Sequence, residues 1–274
     1  MEPSVEIAWR LGAYCAVFAI LAGWEVLGPR RSLRVGRKPR WPSNLGILVV
    51  DAVLVRLLIP VAAVSAALFA ERHGMGLFHI LGLPFWLRAL LGFVLLDLVI
   101  YGQHFAFHHI PMLWRLHRMH HTDLDVDVTT GVRFHPFEIL ISMLIKIAVV
   151  LVAGIPPLAV LVFEIVLNAT SMFNHANVSL APWLDRVIRW LVVTPDMHRV
   201  HHSILRDETD SNFGFNLPWW DYIFGTYRAE PRAGHVDATL GLPIFRDIRE
   251  TRLDNLLTQP FREPESTLKR DDQG

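Results

Sequence analysis

The 274-residue chain is 52% hydrophobic, only 19% charged and has a mean hydropathy of +0.34, values that indicate a membrane protein and not a soluble globular domain. Its formal net charge is zero, so composition gives no argument for binding nucleic acid. A single cysteine, Cys15, excludes an intrachain disulfide and a cysteine-rich zinc or iron–sulfur site. With 14 histidines, any metal would be held mainly by imidazole.

Four apolar regions are candidates for membrane helices, because about 20 apolar residues are needed to cross the hydrocarbon core. They are 7–27, 45–69, 85–101 and a broken region that joins 139–153 to 158–172. In the last region Gly154-Ile155-Pro156-Pro157 breaks the helix and predicts a helical hairpin that returns on the side it entered. The first region is predicted to be a retained helix, since no basic segment precedes it. The predicted fold is all-α and integral to the membrane, with about four transmembrane helical units and a helical cap.

The connection between the first two regions predicts how the chain is oriented. It carries six basic residues: Arg30, Arg31, Arg34, Arg37, Lys38 and Arg40. Such loops stay in the cytoplasm, which places the N-terminus outside and the end of the third helix on the cytoplasmic side. All clustered histidines between 104 and 202 then reach the same side of the membrane. The absence of an endoplasmic-reticulum retrieval signal favours a bacterial inner membrane.

Histidines recur in a pattern that fits a dinuclear metal site. The pentad His-Arg-x-His-His occurs at 117–121 and again at 198–202, and positions i, i+3 and i+4 share one face of a helix. His104 and His108 form a further i, i+4 pair, and Asp97 and Tyr101 extend their stripe. One four-coordinate zinc takes about four ligands, so eight imidazoles indicate two metals.

The type of ligand narrows the chemistry. Imidazole suits iron, copper, zinc or nickel. The sequence contains no Glu-x-x-His motif, which argues against a carboxylate-bridged di-iron bundle. Haem is a poor fit because these histidines come in triplets, and the chain has no nucleotide fingerprint. Iron would activate dioxygen for attack on an acyl or isoprenoid C–H bond, whereas zinc would bind without redox chemistry.

These motifs resemble those of the fatty acid hydroxylase and sterol desaturase superfamily. The matching histidine boxes are His104-x3-His108, His117-x-x-His120-His121 and His198-x-x-His201-His202, in a frame that spans about residues 30–228. The resemblance implies two iron ions, O2 as co-substrate, and hydroxylation, desaturation or ether-lipid cleavage. It assigns the eight box histidines as ligands, with His175 of Asn174-His175-x-Asn177 as a ninth.

Five further residues are candidates for orienting the centre: Asp97, Tyr101, His135, Asn177 and Asp221. An ionisable residue in an apolar segment is costly and often functional, and this applies to Asp97. Simpler roles stay open for several histidines. The box residues could cap helix ends or extend to water, and His135 and His175 could be structural.

The expected domains are an N-terminal transmembrane helix with its basic loop (1–43), a catalytic domain (44–260) and a disordered tail (261–274). After His135-Pro136 the two glycines of a cytochrome b5 haem site are missing, so a separate ferredoxin or cytochrome b5-like donor with its reductase is expected. The leading hypothesis is an O2-dependent lipid hydroxylase in the membrane. Alternatives are a lipid or sterol desaturase, and a zinc-dependent membrane hydrolase or metal-handling protein. The sequence does not select the lipid.

Overall fold

The structure is a computed structural model that describes residues 3–59 and 62–263. These residues form 14 α-helices, short 3-10 turns and two isolated bridges, without a β-strand. The helices are α1 Pro3–Leu27, α2 Trp41–Leu58, α3 Ala63–Arg72, α4 Leu77–Ile80, α5 Phe85–His109, α6 Pro111–His121, α7 Pro136–Ala153, α8 Pro157–His175, α9 Pro182–Ile188, α10 Pro195–His201, α11 Arg206–Thr209, α12 Trp219–Phe224, α13 Gly234–Asp237 and α14 Leu253–Thr258.

Five helical segments of the described chain are long and apolar enough to cross a membrane. They are Ile7–Leu27, Trp41–Ile80, Phe85–His109, Pro136–Ala153 and Pro157–His175. The predicted all-helical membrane fold is thereby confirmed, with the broken fourth region counted as two helices. The third segment is longer than predicted, since α5 continues from residue 101 to His109 and carries His104 and His108 in one helix.

The second apolar region differs from the prediction of one helix over 45–69. In the structure α2 ends at Leu58 and α3 begins at Ala63. The sequence places Pro60 between them, and proline lacks the N–H that a continuing helix needs. Prolines also stand in the first turn of several helices, where that N–H has no helical partner: Pro42, Pro111, Pro136, Pro157, Pro182 and Pro195.

The turn between α7 and α8 forms the predicted hairpin. Gly154 ends α7 in the left-handed conformation with φ 75°, and its N–H donates to the carbonyl of Val150 at 2.9 Å. A Cβ added at Gly154 would lie 2.5 Å from the carbonyl oxygen of Met75. Both the conformation and the close approach therefore require glycine, and the turn packs against the connection between α3 and α4.

The membrane helices pack through small residues. Buried alanines of α3 repeat with helical spacing, and this face packs against α7 and α8: Ala63, Ala66, Ala67 and Ala70. Small side chains let helix backbones approach closely in lipid, where apolar burial alone gives no driving force. Helix α8 also packs against α1 and α5, and its Phe163 is completely buried.

The basic loop after α1 belongs to the same end of the molecule as the helices that follow the membrane spans. Arg40 is completely buried and donates to Asp123 at 2.5 Å and to Asp127 at 2.7 Å. Burial alone would raise the pKa of Asp123, but the positive charges of Arg40 and Arg133 hold this pKa below its usual range. Residues 28–40 and 111–135 are thus joined by buried ion pairs, and the partly buried pair of Arg30 with Asp196 joins them to residues 176–263. These three segments are here called the cap.

Part of the expected disordered tail, 264–274, lies outside the described residues. Residues 261–263 pack on the cap: Phe261 closes a 3-10 turn, Arg262 pairs with Glu250, and Glu263 pairs with Arg115.

Candidate metal centre

Four helices bring nine histidines to one place where the membrane bundle meets the cap. Each is at most 4% exposed, so these side chains do not extend to water. Pro111 restarts the chain as α6 directly after α5, which turns the second box back onto the first. The nine are His104 and His108 of α5, His117, His120 and His121 of α6, His175 of α8, and His198, His201 and His202 at α10.

The nine imidazoles form two groups that do not follow the sequence boxes. One holds His104, His108, His117, His121 and His201, and the other holds His120, His175, His198 and His202. Within each group one nitrogen per ring lies within 4.8 Å of all the others. Each pentad gives its i, i+4 pair to one group and its i+3 histidine to the other. Positions i+3 and i+4 differ by about 100° around a helix, so their rings can point to different groups.

Backbone carbonyls fix the orientation of several rings. The Nδ1 atom of His104 lies 2.8 Å from the carbonyl oxygen of Phe213, that of His120 lies 3.0 Å from that of Arg133, and that of His201 lies 2.7 Å from that of Ser211. His175 has the same contact with its own helix, to Ser171 at 2.6 Å. A ring that donates through Nδ1 carries its lone pair on Nε2, which faces the centre.

Two carboxylates do the same for two of the three remaining rings of the first group. His117 Nδ1 lies 2.7 Å from Glu138 Oε1, and His108 Nδ1 lies 3.1 Å from Asp210 Oδ1. The sequence analysis missed both acids. Glu138 had a usable signal, since it is an acid at the start of an apolar helix close to the boxes. Asp210 had none, because it is 102 residues from His108.

Several of the inward Nε2 atoms lie as close to one another as hydrogen-bonded atoms do. Two nitrogens that both carry a lone pair repel each other at this distance unless a proton or a cation lies between them. Nε2 atoms are 3.1 Å apart between His108 and His121, 3.2 Å between His121 and His117, and 3.1 Å between His120 and His175. The buried Nε2 atoms of three other rings have no hydrogen-bond partner: His104, His201 and His202. Converging imidazole nitrogens of this kind fit metal cations.

The environment also keeps the rings of the cap in the form that binds metal. Burial, and then the neighbouring imidazoles, lower the pKa of His120, His121, His198 and His202 well below the usual value of 6.5. These rings are neutral at neutral pH, and neutral imidazole is the ligand.

Three of the predicted orienting residues act on the segment behind His104. Asp221 accepts from the N–H groups of Phe213 at 2.8 Å and Gly214 at 2.9 Å. Asp97 accepts from the Trp220 indole at 2.8 Å, and Tyr101 shares a 3.0 Å hydrogen bond with Thr226. They hold residues 212–226 in place, and the Phe213 carbonyl in that segment holds His104.

The other two make their hydrogen bonds elsewhere. His135 caps α7, with its Nδ1 accepting from the N–H of Phe137 at 3.3 Å. Asn177 joins the end of α8 to the basic loop, since its Nδ2 donates to the carbonyl of Arg31 at 2.9 Å and its N–H donates to Glu25 at 2.8 Å.

A cavity of about 520 Å³ runs between the membrane helices and reaches His104 and His117. Its wall near the histidines is mainly apolar and includes Ile100, Phe107 and Phe134. Charged and polar side chains also line it, among them Asp51, Gln103, Lys146 and Glu164. A cavity of this size within a membrane bundle suits an extended apolar chain.

Comparison with known proteins gives a matching family and several relatives. The sequence model of the fatty acid hydroxylase family matches residues 89–226. An ornithine lipid hydroxylase of Rhizobium tropici is 30% identical over 155 residues, which cover 56% of this chain and 46% of that protein. An alkylglycerol monooxygenase of Homo sapiens is 32% identical over 148 residues, or 53% of this chain and 31% of that protein.

A very-long-chain aldehyde decarbonylase of Oryza sativa subsp. indica is 30% identical over 159 residues, which cover 53% of this chain and 25% of that protein. The matched part of the chain thus spans less than half the length of each of these three relatives. No solved structure matches the chain.

Proposed function

Because this chain belongs to the fatty acid hydroxylase family, we propose that it is an O2-dependent enzyme that hydroxylates a membrane lipid at a centre of two iron ions. The sorting of nine imidazoles into a group of five and a group of four carries this proposal. Two groups of nitrogen donors match two metals, and imidazole is a ligand that iron accepts. The proposed ligands are His104, His108, His117, His120, His121, His175, His198, His201 and His202.

Iron bound there would supply O2 activation and the removal of hydrogen from an unactivated C–H bond. The protein's own side chains hold the ligand rings in place and exclude water from the site. Carbonyl and carboxylate partners fix six of the nine rings, namely His104, His108, His117, His120, His175 and His201, so these ligand nitrogens keep their positions when a substrate enters. The apolar wall of Ile100, Phe107, Phe134 and Phe215 excludes water and directs the substrate chain toward His104 and His117.

A lipid as the substrate is supported by the apolar cavity and by two relatives, which are named as an ornithine lipid hydroxylase and an alkylglycerol monooxygenase. The centre, as proposed, faces the cytoplasm of a bacterial inner membrane, supported by the basic loop that packs on the cap. Electrons come, in this proposal, from a separate ferredoxin or cytochrome b5-like protein with its reductase.

The test uses the full chain purified in detergent, loaded with iron, and supplied with O2, a reductant and a membrane lipid extract. Mass spectrometry of the products distinguishes hydroxylation, which adds one oxygen atom, from desaturation, which removes two hydrogens. The His120→Ala variant and the zinc-loaded protein are controls that we expect to give neither product. If the fully iron-loaded protein oxidises no lipid and O2 uptake stays at background, the proposal fails. The alternative hypothesis, a zinc-dependent hydrolase or a metal-handling protein, is then favoured.

A further inference from the structure

One face of α5 forms the cavity wall beside the histidines. Ile100, Gln103, His104 and Phe107 all line the cavity, and their spacing of three, one and three residues places them on one stripe of a helix. Gln103 is the polar member of this stripe that is not a proposed metal ligand. Its Cα lies about 3.8 Å from that of His104, since the two residues are consecutive.

The amide of Gln103 lacks a partner in the protein. Both its Nε2 and its Oε1 are buried without a hydrogen bond. Leaving an amide unpaired away from water costs about 1–3 kcal/mol, so buried amides are almost always paired. Ile100, Phe107, Phe134 and Phe215, which line the same cavity, are apolar and offer no hydrogen-bonding side chain.

Of the other polar groups that line the cavity, Asp51 also has one buried oxygen without a partner, whereas Glu164 and Glu138 have partners. Glu164 accepts from Lys146 at 2.7 Å and from Arg10 at 2.6 Å, which joins α1, α7 and α8 by a buried ion triad. Glu138 is paired through one oxygen with His117. Gln103 thus combines a free donor, a free acceptor and a position next to a proposed ligand.

We propose that Gln103 is a substrate-positioning residue that binds a hydroxyl or secondary amide group carried by the lipid close to the carbon that is oxidised. The amide NH2 donates and the amide oxygen accepts. A hydroxyl or a secondary amide satisfies both atoms, an ether or an ester satisfies only the donor, and a plain hydrocarbon satisfies neither. The inference rests on the proposed function for the site, and it names the substrate class: a lipid with a polar group inside its chain region.

The first test measures binding without turnover, on the full chain in detergent. The probes are four long-chain molecules of equal length: a secondary alcohol, a secondary amide, an ester and a hydrocarbon. We expect the alcohol or the amide to bind roughly tenfold more tightly than the hydrocarbon, which corresponds to one or two net hydrogen bonds. Tighter binding of the alcohol would identify the polar group of the lipid as a hydroxyl, and tighter binding of the amide would identify it as a secondary amide.

Gln103→Leu should remove this preference and leave the affinity for the hydrocarbon unchanged. Ser142→Ala is the matched control, because Ser142 lines the same cavity on α7, and it should keep the preference. If Gln103→Leu folds poorly, Gln103→Met serves the same purpose. Equal affinities of the wild-type protein for all four probes would overturn the proposal, as would an equal loss for all probes in a variant with normal metal content.

The second test measures the product. With iron, O2 and reductant, the wild-type protein should oxidise the alcohol or amide probe at one position, whereas Gln103→Leu should give several positional isomers. A single unchanged isomer in the variant would contradict a positioning role. Failure of the proposed function has a different signature, namely selective binding of the probes without any oxidised product.

Discussion

At the scale of single residues, the centre depends on atoms outside the histidine boxes. The contact of 2.7 Å between His117 Nδ1 and Glu138 Oε1 joins a proposed ligand to a buried carboxylate on another helix. Such a carboxylate fixes the ring and raises its basicity as a ligand.

We expect Glu138→Leu to weaken metal binding by about 10- to 100-fold, because the Nδ1 atom of His117 loses the carboxylate that it contacts in the described structure. Glu138→Gln retains an acceptor and should lose less. Metal content after competition with a chelator measures both effects. The exposed Glu230, changed to Gln, is the control. Wild-type metal retention in Glu138→Leu would show that His117 is held by packing alone.

The depressed pKa values of the cap histidines predict a pH dependence of stability. Below about pH 6.5 the unfolded chain takes up protons on His120, His121, His198 and His202, whereas the folded chain resists them. The stability contributed by these groups is therefore complete above pH 6.5 and is lost as the pH falls below it.

We expect the thermal unfolding midpoint of the metal-free protein in detergent to fall by several degrees between about pH 7.5 and about pH 5.5. Added metal should raise the midpoint at the higher pH. At the lower pH protons compete for the imidazoles, and the metal should be released from the protein. A midpoint that stays constant or rises on acidification would contradict neutral, buried imidazoles.

At the scale of elements, the centre depends on how closely the turn over residues 130–132 crosses α8. Ser171 donates through its hydroxyl to the carbonyl of Gly131 at 2.7 Å, and the Ser171 carbonyl contacts His175. Two residues further, the carbonyl of Arg133 contacts His120. One crossing thus positions two rings of the second histidine group.

Gly131→Ala should disturb that crossing, because the added Cβ would lie 2.4 Å from the backbone oxygen of Ser171, which cannot move aside alone. We expect a loss of about 1–3 kcal/mol in stability and a larger loss of metal from the second group than from the first. Thermal unfolding and metal stoichiometry measure the two effects. Gly102→Ala, where nothing lies within 4 Å, is the control. Full occupancy of both metals in Gly131→Ala would refute this coupling.

At the scale of the whole molecule, the packing gives the two ends of the bundle different roles. The α7–α8 turn contacts the segment around Gly76 at one end, and the basic loop joins the cap at the other. The single cysteine makes this arrangement testable, since Cys15→Ala yields a cysteine-free background.

In that background we expect Met75→Cys and Arg249→Cys, both at exposed positions, to react with a membrane-impermeant maleimide from opposite sides. Intact cells should label the first variant, and inverted vesicles should label the second, if the basic loop is cytoplasmic. Labelling of both variants from one side would refute the predicted topology.

The sequence by itself determined the class of fold and the identity of eight of the nine histidines that meet, while His175 was assigned from the resemblance to a known family. Both depend on local properties, namely apolar length, the break at Gly154-Ile155-Pro156-Pro157 and the i, i+3, i+4 spacing, which act within one helix. The motifs also indicated the family that the comparison with known proteins then showed.

Only the tertiary structure decided how the histidines divide and what holds them. Each pentad contributes to both groups, because the rotation of α6 and α10 against α5 and α8 decides which ring faces which neighbour. Asp210 meets His108 across 102 residues, and the Phe213 carbonyl meets His104 across 109. The position of Gln103 in the cavity wall follows from the same packing. Contacts between such distant segments leave no periodic trace in a sequence, since they depend on how whole helices are arranged in space.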